Sequence, residues 1–221
     1  MDITPILRID KLTWSYPNHT SPVFKNLNVQ VDAWSFCFVV WKSGVWKTTL
    51  TKFLIRELKP PVWTIFHHRD DIARYTPAEV QAYRKKLGII FQDGKLLQWK
   101  TVKENILYPL MLDQIWKEQQ DTMLQTVLTT VGLTWKEECM PEVLSGWEKQ
   151  RVAIARALIR NPEIIIADEP TGNIDHETSR EIADKMIEIN KTWTTILFIT
   201  HDTQLIEYVQ SKHPTQTIII E

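Results

Sequence analysis

The sequence predicts an α/β protein built on a mostly parallel sheet, and two observations support this. Short apolar runs rich in Ile, Val and Phe are typical of strands buried on both faces. Segments with helical periodicity lie between these runs, and strands that alternate with helices indicate an α/β domain. The predicted strands are Phe36–Val40, Leu87–Phe91, Glu163–Ala167, Thr195–Thr200 and Thr217–Ile220.

Helices are predicted where apolar residues repeat every three or four positions and where proline or glycine marks an end. The first predicted helix, Thr48–Leu58, stops before two prolines, and the second, Pro77–Lys86, begins with a proline that suits a first helical turn. The others are Lys117–Val131, Gln150–Ile159 and His176–Asn190.

Two parts of the chain depart from this alternation. Leu12–Trp14 and Leu27–Val31 are predicted to form antiparallel strands beside the main sheet, and about residues 95–158 are predicted to form a helical subdomain. His67 and His68 are predicted to be solvated turn residues and not ligands. No repeat or linker rich in Pro, Gly or Ser divides the chain, so residues 1–221 are predicted to form one domain.

Composition excludes several classes of protein. Hydrophobic residues make up 43% of the chain and charged residues 24%, which is ordinary for a globular protein. Lys and Arg number 26 against 27 Asp and Glu, so there is no basic excess of the kind that predicts a nucleic-acid partner. Two cysteines predict no disulfide framework, and no apolar run approaches the roughly 20 residues of a membrane span. We therefore expect a soluble, cytoplasmic protein.

A phosphate-binding loop is the first candidate site. Lys47 and Thr48 open a predicted helix directly after a strand and a tight loop, and such a loop aims backbone N–H groups at phosphate oxygens. The loop pattern also requires glycine at positions 41 and 46, and both positions hold tryptophan. The alternative is an ordinary strand-to-helix turn that contains Lys and Thr by chance.

Acidic residues follow another predicted strand. Asp168 ends the run that begins at Ile164, and Glu169 comes directly after it. An Asp in this place suits a Mg²⁺ shell, and a neighbouring Glu can polarise a water molecule. The alternative is an acidic pair that caps the following helix. The segment Leu144–Arg151 opens a further helix, and His201 follows the strand Thr195–Thr200.

The order and spacing of these motifs resemble the ATP-binding subunits of ABC transporters over essentially the whole chain. Residues 41–49 resemble the family's Walker A loop, and residues 164–169 resemble its Walker B strand. The remaining matches are the Q-loop at 91–93, the signature at 144–151, the D-loop at 171–175 and the switch histidine at 200–202. The resemblance implies a P-loop NTPase nucleotide-binding domain with an antiparallel N-terminal part and a helical subdomain.

The resemblance also implies ATP and Mg²⁺ as ligands and a role for each matching residue. Lys47 would hold phosphates together with Ser43, Gly44, Val45, Thr48 and Thr49, and Tyr16 would face the adenine ring. Thr48, Gln92 and Asp168 would serve Mg²⁺, while Gln92, Glu169 and His201 would be catalytic. Ser145 and Gly146 would bind the γ-phosphate held by the other subunit of a head-to-tail homodimer.

The family resemblance implies a partner and a location too. A groove near residues 92–108 would receive an integral membrane, permease-like protein, which would hold the chain at the inner face of the membrane. The run ADEPTGNID is similar to a branch that serves cell division, lipoprotein release and macrolide export, and the cell-division ATPases are the most similar. An export ATPase and a non-catalytic scaffold for the membrane partner remain alternatives.

The glycine count is unusually low. The chain has 6 glycines and 10 tryptophans, whereas average usage predicts about 15 glycines in this length. Trp41, Trp46 and Trp147 stand where the family carries glycine, and five further tryptophans fall at turn positions that suit glycine: Trp34, Trp63, Trp116, Trp135 and Trp193. Restoring glycine at these positions would give about 14, near the average.

We interpret this pattern as a natural sequence altered from Gly to Trp; the alternative is a set of native tryptophans. An indole at position 46 would fill the phosphate cradle, and Trp147 is expected to point at the phosphate of the opposite subunit. The prediction is that this chain binds ATP weakly or not at all and does not hydrolyse it. The alternative is an active ATPase whose loop has adapted to tryptophan.

Overall fold

The computed structural model describes residues 5–17, 21–41, 47–113, 115–172 and 174–220. Within these ranges the strands are β1 (Pro5–Trp14), β2 (Phe24–Asp32), β3 (Phe36–Trp41), β4 (Ile65–His67), β5 (Asp70–Asp71), β6 (Leu87–Phe91), β7 (Ile164–Asp168), β8 (Thr195–Thr200) and β9 (Gln216–Ile220). The helices are α1 (Lys47–Leu54), α2 (Pro77–Lys85), α3 (Val102–Leu107), α4 (Lys117–Val131), α5 (Gly146–Leu158), α6 (His176–Asn190) and α7 (Thr203–Gln210). Short 3-10 helices lie at Ile72–Arg74, Tyr108–Leu112 and Pro141–Val143.

A parallel sheet forms the centre of the fold, in the order β6-β7-β8-β3-β9. All four neighbouring pairs in this order are parallel. The carboxyl ends of β3, β7 and β8 therefore meet at one edge of the sheet, where parallel α/β proteins place their ligands. The predicted mostly parallel α/β fold is confirmed.

A second sheet has the order β2-β1-β4-β5 and is antiparallel. The predicted antiparallel N-terminal part is thus confirmed, although β1 and β2 are longer than the predicted segments. β4 and β5 were not predicted, because they are only three and two residues long and carry no clear alternation. His67 lies in β4 and is buried, so the prediction of a solvated turn is wrong for this residue.

The parallel sheet separates two hydrophobic clusters, and β3 contributes to both. Phe36 and Phe38 face a cluster that includes the buried faces of α3, α4, α5 and α6. Cys37 and Val39 face the other cluster, which includes the antiparallel sheet and α1. Alternate side chains of one strand point to opposite faces, so each face of the central sheet is covered by a different layer. Among the described residues of the segment 95–158, the regular elements are all helical.

Two helix boundaries differ from the prediction for local reasons. α1 ends at Leu54 rather than Leu58, because Arg56 adopts a left-handed conformation with φ of 57°. α5 begins at Gly146 rather than Gln150, because Ser145 caps it: the Ser145 side chain accepts from the N–H of Glu148, and the Glu148 carboxylate accepts from the N–H of Ser145. This reciprocal pair is a capping box.

Three tryptophans occupy backbone conformations that favour glycine. Trp34, Trp63 and Trp193 have φ of 63°, 63° and 69°, which lie in the left-handed region. All three side chains are exposed, and the rings of Trp34 and Trp193 meet edge to face with centroids 5.5 Å apart. A side chain in this region costs free energy that glycine avoids, so these turns are shaped for glycine.

Within the described ranges, no helix has both the length and the apolar character needed to cross a bilayer.

Candidate functional site

The amino end of α1 places Lys47 and Thr48 at the edge of the parallel sheet. β3 ends at Trp41, whose backbone pairs with Ile220, and α1 begins at Lys47. Thr48 is exposed and Thr49 is buried. The predicted phosphate-binding residues Ser43, Gly44 and Val45 lie outside the described residues, as does Trp46.

Three of the predicted residues converge on one carboxylate oxygen. Oε1 of Glu169 contacts Nζ of Lys47 and lies 2.7 Å from Nδ1 of His201. Nζ of Lys47 is 3.4 Å from the same histidine nitrogen. These residues come from α1, from the turn after β7 and from the turn after β8, so the sheet topology brings together groups that are far apart in the sequence.

The neighbouring Lys47 and His201 side chains favour the ionised form of Glu169. Partial burial opposes ionisation of this carboxyl, but the hydrogen bonds and charges of Lys47 and His201 outweigh it and lower the pKa of Glu169. Glu169 also has φ of 47°, an uncommon conformation for a residue other than glycine. Backbone strain of this kind occurs at functional sites more often than elsewhere.

Asp168 is the last residue of β7 and has a different environment. Oγ1 of Thr51 donates a hydrogen bond of 2.9 Å to Oδ2 of Asp168. Burial raises the pKa of Asp168, with a further contribution from neighbouring Glu169, and the Thr51 bond only partly opposes this. Thr51 was not predicted as a site residue; its position one helical turn after Lys47, on the same face of α1, is the signal that identifies it.

A cleft of about 740 Å³ opens beside these side chains. Its lining residues are Lys47, Thr48, Thr51, Lys52, Ile55, Glu57, Phe91, Gln92, Asp93, Lys95, Asp168 and Glu169. Gln92 reaches it from the end of β6 and packs against Gly172, where an added Cβ would lie 2.7 Å from Nε2 of Gln92. The structure thus gathers five predicted residues around one cleft, and His201 joins them through Glu169.

Tyr16 lies beside α1. Its hydroxyl is 2.8 Å from Oγ1 of Thr49, and its ring meets the Trp14 ring edge to face with centroids 4.4 Å apart. Trp14 in turn packs against Phe53 of α1, with centroids 5.2 Å apart. These contacts hold the Tyr16 ring near the first turn of α1.

The signature segment lies apart from the cleft within one chain. Ser145 and Gly146 are exposed at the amino end of α5, and an added Cβ at Gly146 would meet nothing within 4 Å. The described lining residues of the cleft include none from this segment. The amino end of α5 therefore presents N–H groups to solvent, a feature suited to an anion brought by another molecule.

Trp147 packs along its own helix in the single chain, and its predicted approach to the phosphate of an opposite subunit stays a prediction. Its ring is half-buried, packs against the helical cluster and carries the guanidinium of Arg151, whose Cζ lies 4.0 Å from the ring. Arg151 is four residues later on the same helix face, so a cation–π contact holds the indole along α5. In the single chain the ring therefore does not project from the helix end.

The parallel sheet, the helix that begins with Lys and Thr, and the carboxylates at the end of β7 together define a nucleotide-binding class of protein. Sequence comparison agrees with this class. Residues 24–172 match the profile of the ABC transporter family. The chain belongs to this family.

The relatives include cell-division proteins. The chain is 35% identical over 207 residues to the cell division ATP-binding protein FtsE of Mycobacterium tuberculosis, which covers 94% of this chain and 90% of the relative. It is 36% identical over 201 residues to FtsE of Bacillus subtilis, and the alignment covers 90% of this chain and 86% of the relative. A methionine import ATP-binding protein, MetN of Mannheimia succiniciproducens, is 36% identical over 83% of this chain and 54% of its own length.

Solved structures of the family share the fold. CbiO1 of Clostridium perfringens, part of an ABC transporter complex, superposes with a TM-score of 0.85 at 25% identity, covering 93% of this chain and 82% of CbiO1. The ATP-binding cassette MJ0796, in a dimeric post-hydrolysis state bound to ADP and Pi, superposes with a TM-score of 0.83 at 26% identity. The superposition covers 97% of this chain and 94% of the MJ0796 chain.

Proposed function

We propose that this chain is an FtsE-like ATP-binding and hydrolysing subunit of an ABC-type complex. The convergence of Lys47 and His201 on Glu169, beside Asp168, carries the proposal. Lys47 supplies a cation for phosphate, Glu169 supplies an acceptor for a proton from water, and His201 contacts both residues. Phosphoryl transfer requires groups of these kinds.

The residues present suit Mg-ATP on the described side of the site. Thr48, Gln92 and Asp168 line the cleft with the oxygen ligands that Mg²⁺ prefers, and Thr51 orients Asp168. Bound Mg²⁺ would neutralise charge on the phosphates. In this proposal Lys47 binds phosphate, Glu169 orients and deprotonates the attacking water, and His201 contacts the γ-phosphate. Tyr16, held beside α1, is the proposed adenine platform.

The proposed working unit is a head-to-tail homodimer. The exposed amino end of α5 is formed by Ser145 and Gly146 and lies away from the cleft of its own chain. A second chain would bring this helix end to the nucleotide, where its N–H groups bind an anion well. The dimeric state of the similar cassette MJ0796 supports this arrangement.

An FtsX-like integral membrane protein is the proposed partner, and the chain would lie at the inner, cytoplasmic face of the cell membrane. A groove of about 360 Å³ beside the Q-loop supports this, because Leu87, Ile89 and Phe91 give it an apolar floor. Tyr108 is exposed at its edge. An apolar groove of this kind suits a short amphipathic helix of a partner.

We further propose that tryptophan at positions 41, 46 and 147 impairs ATP binding and hydrolysis. Backbone N–H groups hold the phosphate, and the phosphate can approach them closely only where the residue is glycine. Positioning of the phosphate is the main source of catalysis in phosphoryl transfer. Trp34, Trp63 and Trp193 have left-handed backbone conformations that favour glycine. This supports the view that positions 41, 46 and 147 belong with them to one set of glycine positions.

We propose that one codon, read differently in two genetic codes, accounts for tryptophan at positions that suit glycine. UGA is read as glycine in some genetic codes and as tryptophan in others, so one codon exchanges the two residues wherever it occurs. We propose that the functional polypeptide carries glycine at 34, 41, 46, 63, 147 and 193. Trp116 and Trp135, which the sequence also suggested, are left out because they lie outside the family motifs and have no positive φ. Trp14 is excluded from this set, because its ring packs between Tyr16 and Phe53.

The gene and the natural protein test this directly. UGA is expected at the six positions and UGG at Trp14, and peptide mass spectrometry of protein from the source organism is expected to find glycine at the six. UGG codons together with tryptophan-containing peptides at Trp34, Trp63 and Trp193 would overturn the proposal.

The activity is tested by comparing this chain with the variant W41G/W46G/W147G. We expect Mg-ATP to raise the melting temperature of the variant and to leave that of this chain unchanged. We also expect only the variant to hydrolyse ATP.

Adding Glu169→Gln to the variant serves as the control: turnover falls by about 100-fold or more, while the ATP-induced shift in melting temperature remains. Steady turnover by the unaltered chain would contradict the proposed impairment. An inactive variant that still binds an FtsX-like protein would instead indicate a scaffold.

A further inference from the structure

Three metal-ligating side chains meet at the opposite end of the parallel sheet from the cleft. Nε2 of His67 lies 3.2 Å from Oε2 of Glu163, and Nε2 of His68 lies 3.3 Å from the same oxygen. The three ligand atoms all lie within 4.8 Å of one another. Glu163 precedes β7 and Asp168 ends it, so about 16 Å of strand separates this cluster from the candidate nucleotide site.

One imidazole nitrogen of His67 is buried and lacks a well-formed hydrogen bond among the described residues. This Nε2 atom has no hydrogen-bond partner among the described residues, although it is close to Glu163, and the residue is only 3% exposed. A buried polar atom left unpaired costs free energy, and a neutral imidazole nitrogen is a common metal ligand.

The surrounding structure holds the His67 ring and the backbone of the other two residues in place. The His67 ring packs against the Tyr83 ring with centroids 5.1 Å apart, and the backbone N–H of His68 donates to the carbonyl of Ile6. The backbone N–H of Glu163 donates to the carbonyl of Lys86. The cluster thus joins β4 of the antiparallel sheet to the start of β7 in the parallel sheet.

Two of the three ligand spacings suit a tetrahedral ion. Ligands about 2.0–2.1 Å from Zn²⁺ lie about 3.3 Å from one another in a tetrahedron, which matches the two nitrogen–oxygen distances of 3.2 Å and 3.3 Å. The two imidazole nitrogens lie within 4.8 Å of each other. Lys86 binds Oε1 of Glu163 at 3.0 Å and leaves Oε2 to face the two imidazoles. His68 and Glu163 are partly exposed, so solvent can reach a fourth position.

We propose that His67, His68 and Glu163 form a Zn²⁺ site that links the two sheets, with a water molecule as the fourth ligand. Such an ion satisfies the unpaired nitrogen of His67 and stabilises the folded chain, because it binds a geometry that the unfolded chain lacks. The site uses no residue of the candidate nucleotide site.

Titration of the metal-free chain with Zn²⁺ alone, followed by calorimetry and thermal melting, tests the site. We expect one ion per chain and a higher melting temperature. Co²⁺ alone is expected to give the visible absorption of a tetrahedral site. His68→Ala and Glu163→Gln are each expected to weaken Zn²⁺ binding at least about tenfold. His68 is exposed, so H68A is expected to fold normally, and its melt without metal checks this.

His176→Ala is the matched control, since His176 is an exposed histidine at the start of α6 and lies outside the cluster. Its Zn²⁺ affinity is expected to equal that of the starting chain. Absence of saturable binding, or binding that H68A and E163Q leave unchanged, would overturn the site. The same titration on W41G/W46G/W147G separates the two proposals, because a variant that binds ATP but not Zn²⁺ refutes only this one.

Discussion

At the scale of single residues, backbone conformation separates the tryptophans into groups. Trp34 and Trp193 sit in left-handed turns, whereas Trp99 and Trp135 have the same high exposure without a positive φ. Trp116 precedes α4 and makes no side-chain cap hydrogen bond there. Among these exposed tryptophans, a positive φ therefore marks the turns where glycine would relieve strain, whereas exposure alone does not.

The double variant W34G/W193G is expected to raise the free energy of unfolding by about 1 kcal/mol. Glycine relieves strain at both turns, and loss of the edge-to-face contact between the two rings offsets part of this gain. Urea unfolding measures the difference. W99G/W135G is the matched control, because these residues carry no left-handed strain; its stability should stay equal or fall. Stabilisation by the control, or destabilisation of W34G/W193G, would show that strain at φ is not the cause.

The site residues that sequence predicts and those it misses differ in how they are encoded. Lys47, Glu169 and His201 were predicted because family motifs mark them, and the structure brings them together; their catalytic roles remain predictions. Thr51 and His67 were missed, because each is recognised only by what folding places beside it. A single sequence carries no direct signal for such long-range neighbours.

At the scale of elements, strongly patterned segments were predicted well. α4, α6, β6 and β8 have the predicted bounds, since each combines clear periodicity with distinct ends. α3 and α7 were not predicted: they are six and eight residues long, and periodicity over so few positions is weak. Capping explains α3, where Thr101 and Glu104 form a capping box.

Asp113 connects the end of the 3-10 helix Tyr108–Leu112 to the last residue of α2 and to the segment that follows α5. Nε of Arg160 donates to Oδ2 of Asp113 at 2.8 Å, and Nζ of Lys85 lies 2.5 Å from Oδ1. Burial opposes ionisation of Asp113, but Lys85 and Arg160 outweigh it and lower the pKa of this carboxyl. The ion pairs therefore stabilise the fold at pH values above the ordinary pKa of Asp, about 3.9.

Asp113→Asn is accordingly expected to lower the free energy of unfolding by about 1–2 kcal/mol at pH 7. The difference should shrink as the pH falls through the lowered pKa, because the carboxylate of the starting chain is then protonated and its advantage is lost. Denaturant unfolding at pH 7 and at pH 3 measures both effects.

Glu181→Gln is the control. The Glu181 carboxylate is 3.7 Å from Arg151 and exposed, so its loss should lower the free energy of unfolding by less than about 0.5 kcal/mol. A deficit in D113N that does not change with pH would rule out the charge as its source.

At the scale of the whole molecule, one sheet serves both hydrophobic clusters. Phe38 and Val39 are adjacent in β3 and face different clusters, so neither layer can lose its packing without exposing the same strands. We propose that residues 1–221, including the helical segment 95–158, unfold as one cooperative domain.

Coincident unfolding curves are the expected result of that arrangement. Far-UV circular dichroism, which follows the helices, and near-UV circular dichroism, which follows the packed aromatic rings, should give the same urea midpoint within error. A helical signal that persists after the aromatic signal is lost would show that the helical segment folds separately. The metal-free chain is the appropriate sample, because bound Zn²⁺ would shift the midpoint.

The contact between Lys47 and Glu169 has a consequence for timing. While the lysine pairs with this carboxylate, the pKa of Glu169 is held low and the group is a poor proton acceptor. An incoming anion that attracts the lysine weakens this effect, so the carboxylate becomes more basic as the ligand arrives. In the proposed role of Glu169 as general base, an occupied site would make this carboxylate a better proton acceptor than an empty site does.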